Sequence, residues 1–141
     1  MYRPKYYTIK ELVNPELLKK IGEETAWKLF DDRVLKAADE IRKIYGPCII
    51  NGSGLTDCGL RDINSSTGAK YSAHKLGRAL DLHIVSLEKK WGTNKTGKTA
   101  DYNRVREQLM LNPKFDHLNF EHNIYWLHID TYNRTNRLFN P

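Results

Sequence analysis

Cysteine is scarce in this chain, and the two that occur, Cys48 and Cys58, fit no CxxC or other ligand spacing. That excludes a cysteine-built zinc finger or ribbon, and Cys48, inside the apolar run Cys48-Ile-Ile, reads as a small buried hydrophobe. No stretch is apolar for long enough to span a bilayer, and the opening MYRPKYYTIKEL is polar and aromatic rather than signal-like. Synthesis in the cytosol without membrane insertion is therefore expected. Repeats, linkers and low-complexity tracts are also missing. The 23 basic residues outnumber the 17 acidic ones but form no run of five, so the net charge of +6 suits a polyanionic setting without marking a binding tail. No RNP pair or Cys-His finger supports a nucleic-acid reader.

What is present fits one domain of 141 residues, 40% apolar and 28% charged. Residues 8 to 46 read as helices. Thr8 with Glu11 forms a capping box, and Asn14-Pro15 gives an N-cap followed by proline at the first helical position. Gly22 interrupts the apolar face of Leu17, Leu18 and Ile21. A second segment, Glu23 to Phe30, turns Ala26, Trp27 and Phe30 inward. A third, capped by Asp31 or Asp32, carries Val34, Leu35, Ala38 and Ile41 at helical spacing until Gly46-Pro47 stops it.

Beyond this, Cys48 to Asn51 reads as a short buried strand and residues 52 to 72 as a long loop. Residues 79 to 85 alternate as a strand, residues 88 to 99 read as a polar loop, and Tyr102 to Leu111 as a helix. Residues 115 to 121 and 124 to 130 pattern as two strands joined by a two-residue turn at His122-Asn123. That register sets Phe120 opposite Tyr125, Leu118 opposite Leu127 and His117 opposite His128. The expected architecture is α+β: a small, mainly antiparallel sheet from a core of residues 48 to 132, with the N-terminal helices packed against it.

The densest chemical signal is Ser72-Ala-His74-Lys-Leu-Gly77-Arg-Ala79-Leu-Asp81. A histidine meets an aspartate across a glycine turn at the mouth of a strand. His128, in Trp126-Leu-His128-Ile-Asp130, is a third candidate ligand. Zinc accepts imidazole nitrogen and carboxylate oxygen, and a catalytic zinc keeps three protein ligands and one open position.

The stretch Gly68 to Asp81 resembles the SxHxxGxAxD motif of the zinc D-Ala-D-Ala carboxypeptidase superfamily, which includes phage endolysin peptidases and the zinc-binding hedgehog signalling domain. Trp126 to Asp130 resembles the second motif of that group, and Gly59-Leu-Arg61-Asp its GYRS turn. The resemblance covers residues 48 to 132. It implies Zn²⁺ held by His74, Asp81 and His128, with Arg61 holding a substrate carboxylate and Ser72 supporting the loop or touching substrate. The implied reaction is hydrolysis of peptidoglycan stem peptides, by a carboxypeptidase or endopeptidase acting on the wall after release or from a virion. Many members carry a glutamate three residues before the last histidine, where this chain has Tyr125. Glu121 is the candidate base in its place, resembling the hedgehog-like branch. His83, two past Asp81, and His117 are further substrate-side candidates. The alternative is a catalytically inactive zinc- or wall-binding domain.

Overall fold

The computed structural model describes all residues 1–141. Its architecture is α+β, with five α-helices and a five-stranded mixed sheet. The chain opens with the capping box formed by Thr8 and Glu11 around a single turn of 3₁₀-helix. Helix α1 (Pro15–Ile21) starts where the Asn14 side chain accepts from the Glu16 and Leu17 amides, and Gly22, at φ 78°, ends it. Helices α2 (Glu23–Leu29) and α3 (Asp32–Tyr45) follow, the latter capped by Asp31.

Strand β1 (Cys48–Ile49) leads through the long loop to β2 (Ala79–Ile84). Residues 88 to 99 are not a loop. Helix α4 (Val85–Trp91) and helix α5 (Lys95–Leu111) occupy most of them. The polar segment stays helical because its inward polar groups find partners: Asp101 accepts from the Trp91 indole and from Lys90, and Lys98 pairs with Glu88. Strands β3 (Asn119–Glu121), β4 (Leu127–Asp130) and β5 (Leu138–Phe139) complete the sheet.

The strand order is β1-β2-β4-β3-β5, and only the β3–β5 pairing is parallel. Alternation divides the sheet into two faces. Leu80, Leu82, Ile84, Phe120, Leu127 and Ile129 are fully or almost fully buried in one core with Leu12, Val34, Leu35 and Ile41 from the N-terminal segments. The opposite face carries Asp81, His83, His128, Asp130 and Glu121. Both cysteines are free and buried.

The β3–β4 register differs from the sequence expectation. Phe120 pairs with Ile129 and Asn119 with Asp130, a slip of four residues from the two-residue turn. An even slip leaves every side chain on its expected face, which is why alternation alone does not distinguish the two registers. The connection becomes a five-residue loop, 122–126, with Asn123 at φ 60°. His117 falls outside β3, is exposed, and lines a depression with Tyr2, Lys36 and Lys114, away from His128. Its expected place across from His128 is therefore wrong.

Candidate metal centre

Three local devices bring the ligands together. Ser72 caps a short 3₁₀ turn, Ala73–Leu76, by accepting from the His74 amide at 3.3 Å. Gly77 ends that turn at φ 67°, and a Cβ there would lie 1.9 Å from the Leu29 carbonyl oxygen. No other residue fits. Strand β2 then leaves the turn, carries Asp81, and pairs it directly with His128 on β4. Gly59 passes so close to Leu12 that a Cβ would overlap its carbonyl. That close passage lets the Gly59 carbonyl meet the His74 ring.

His74, Asp81 and His128 are all buried, and one ligand atom from each lies within 4.8 Å of the others. His74 Nε2 is 3.3 Å from Asp81 Oδ2, and His128 Nδ1 is 2.8 Å from Asp81 Oδ1. Donors around a tetrahedral ion with bonds of about 2.0 Å stand roughly 3.3 Å apart. The outer nitrogens are engaged. His74 Nδ1 faces the Gly59 carbonyl at 3.0 Å, and His128 Nε2 faces Asp130 Oδ2 at 2.8 Å. With an ion bound, both acceptors would hold a proton on the outer nitrogen and leave the inner one to offer a lone pair. The three inner atoms lie close enough together to share one ion. A buried group of this kind can hold a metal ion.

The electrostatics agree. Burial opposes charge on His128, but hydrogen bonds and charge from Asp130 and Asp81 outweigh it and push the ring up to about 9. Burial likewise opposes ionisation of Asp81, yet the His74 and His128 rings hold its carboxyl well below the usual range. In the metal-free protein, a proton on His128 supplies charge that an ion would bring.

Asp130 was quoted in the sequence motif but given no role there. It is completely buried and accepts from Asn119, the Tyr132 amide and Arg134 as well as facing His128. Arg134 stacks 3.7 Å over the Phe139 ring, which sits edge-on to His128. The sequence carried a signal for both: Asp130 shares the face of His128 two residues on, and Arg134 follows Asp130 by four.

A cleft of about 650 Å³ opens over the ligands. Glu121, Arg61 and Ser72 line it. Continuing the β3–β4 register sets Glu121 directly across from His128, with Phe139 beside it on β5. Arg61 donates from Nε to the Asp57 carbonyl at 2.6 Å, and its Nη2 lies 3.5 Å from Asp81 Oδ2. His83 lies just outside the cleft, with Nδ1 2.8 Å from Glu88 and Nε2 3.8 Å from the Cys58 sulfur. Of the candidate site residues, His83 lies beside the cleft and His117 on a different part of the surface. No helix is long and apolar enough to cross a membrane. No protein-family model, curated protein or solved structure matches the chain.

Proposed function

We propose that this chain is a zinc-dependent peptidase that hydrolyses amide bonds in the stem peptides of bacterial peptidoglycan. The observation that carries the reading is the convergence of two imidazole nitrogens and one carboxylate at the floor of a cleft, with a further carboxylate, Glu121, in register across from His128. Two nitrogens and one oxygen form a donor set that suits zinc and leaves a coordination position open. Bound there, the ion supplies Lewis acidity toward a carbonyl and lowers the pKa of water.

The chain's own residues do the rest. Glu121 takes the proton of the attacking water and returns it to the leaving amine. Arg61 is held by Asp57 and aimed at the cleft, where its planar charged fork orients a substrate carboxylate. Arg134, spanning Asp130 and the Phe139 face, adds a second cation to the same cleft. Asp130 keeps the His128 ring turned inward. The choice of stem peptide as substrate rests on the resemblance of residues 59–62, 68–81 and 126–130 to the wall-peptidase motifs. On this reading the chain meets the wall after release from the cytosol or as part of a virion.

The test is incubation of the zinc-loaded protein with purified peptidoglycan, counting new amino termini with and without chelator, beside Glu121→Gln. The reading expects release that chelation abolishes, and at least a hundred-fold loss in Glu121→Gln with zinc retained. The absence of a glutamate at position 125 favours one rival, a non-catalytic zinc- or wall-binding domain. Binding to the wall without release of termini by the zinc-loaded protein establishes that rival instead.

A further inference from the structure

A second pair of ligating side chains stands beside the His74, Asp81 and His128 group without belonging to it. Cys58 and His83 line one depression of about 380 Å³, and the Cys58 sulfur lies 3.8 Å from His83 Nε2. Strand β2 carries His83, and the long loop before it carries Cys58. The loop is pinned at that point by its own backbone. The Cys58 amide donates to Asn51 Oδ1 at 2.9 Å, and the Cys58 carbonyl accepts from the Asp81 amide at 2.7 Å. The thiol is therefore positioned before any ligand arrives.

The far side of the imidazole is built as well. His83 Nδ1 is 2.8 Å from Glu88 Oε1, and Glu88 Oε2 pairs at 2.6 Å with Lys98, which is itself buried. A carboxylate held by a lysine accepts the Nδ1 proton and turns Nε2 toward the sulfur, the arrangement that orients metal-ligating histidines. Burial, aided by the Asp81 charge, pushes the Cys58 thiol up to about 12, so the pair is no ready nucleophile. Its geometry suits an ion. Bonds of about 2.3 Å to sulfur and about 2.0 Å to nitrogen that span 3.8 Å meet at roughly 120°, the angle of a three-coordinate centre. Two protein ligands are too few for a structural or catalytic zinc. A soft ion such as Cu⁺ accepts low coordination and prefers thiolate sulfur. Charge points the same way. A thiolate and a monovalent ion cancel, whereas a divalent ion leaves net charge in a largely buried place.

We infer that Cys58 and His83 form a binding site for one soft monovalent cation of the Cu⁺ class, separate from the zinc ligands and independent of the peptidase reading. Binding replaces the thiol proton. The S–H bond breaks, a sulfur–metal bond forms, the proton leaves to water, and no electron is transferred. Water or a solute from the depression takes the third position. The Trp126 ring lies 6.5 Å from that of His83 and forms part of the same wall.

The experiment titrates the zinc-loaded full chain, kept free of oxygen, against the coloured Cu⁺ complex of bathocuproine disulfonate, and loss of colour counts the copper transferred. One Cu⁺ per chain with zinc retained is expected. Cys58→Ser should weaken the uptake by about a hundredfold and His83→Gln by about tenfold, while Cys48→Ala matches wild type. X-ray absorption at the copper edge of the wild type, which needs no variant to fold, should show a sulfur and a nitrogen neighbour. The inference is overturned by no transfer to the wild type, by zinc released mole for mole, or by uptake undisturbed in a folded Cys58→Ser or His83→Gln. Loss of uptake in a folded Cys48→Ala, or a copper edge without the sulfur and nitrogen pair, overturns it equally.

Discussion

Arg106 is completely buried, yet no carboxylate hydrogen-bonds to it. From α5 it donates to the Trp126 carbonyl at 2.8 Å, to the Ile124 carbonyl at 2.8 Å and twice to Asn103 Oδ1. Asn103 in turn donates to the Asn123 side chain and accepts from its amide. One guanidinium thus holds the whole loop between Glu121 and His128. Burial draws its pKa down to about 10, the mark of a charge kept from water. Replacing it by methionine, similar in length and apolar, takes their donor from the two loop carbonyls, at about 1–3 kcal/mol each, while Asn103 Oδ1 keeps the Asn123 amide. Removing a buried charge returns several kcal/mol of desolvation. The net expectation is a loss of about 1–3 kcal/mol, read as a lower urea midpoint at unchanged slope. Arg106→Lys, which keeps the charge but cannot span all three acceptors, should fall between. An Arg106→Met variant within about 0.5 kcal/mol of wild type would refute the clamp and leave the loop position to be explained by packing alone.

Other consequences are as direct. Asp130→Asn should fold but bind zinc about 10–100-fold more weakly, by competition with a chromogenic chelator, because the His128 tautomer is no longer enforced. Gly77→Ala meets both a left-handed φ and a carbonyl at 1.9 Å, so a loss of more than about 3 kcal/mol in thermal or urea unfolding is expected. Burial opposes ionisation of Asp31, but hydrogen bonds from Arg33 and Thr131 and the Arg33 charge bring it down to about 2. A depressed carboxylate stabilises the fold above its ordinary pKa near 4 and loses that contribution as pH falls toward 2. Asp31→Asn should therefore flatten the stability curve between pH 4 and 2, by about 1 kcal/mol once solvent screening is allowed for.

The centre was more legible in sequence than the frame around it. Ser72, His74, Gly77 and Asp81 lie within ten residues, and each contributes through local geometry: a cap, a ligand, a left-handed turn and a strand position. The Thr8–Glu11 box and the Asn14 and Asp31 caps were legible for the same reason. Helix α5 was half hidden because its inward positions include Lys98, Asp101 and Arg106, whose burial depends on distant partners rather than apolar spacing. The β3–β4 register was hidden because a four-residue slip preserves the pattern of faces. The longer loop is tied down by Arg106, 18 and 20 residues before the carbonyls it holds. His117 was misplaced by that same slip. Glu121 kept its face and came to stand across from His128, although the expected register had set His117 there.

The most direct measurement is the metal content of the purified protein beside His74→Ala, after dialysis against trace zinc. One zinc per wild-type chain and a markedly lower content in a folded His74→Ala is the expected pair of values. Equal content in both, or none in a folded wild type, would contradict a shared ion at His74, Asp81 and His128.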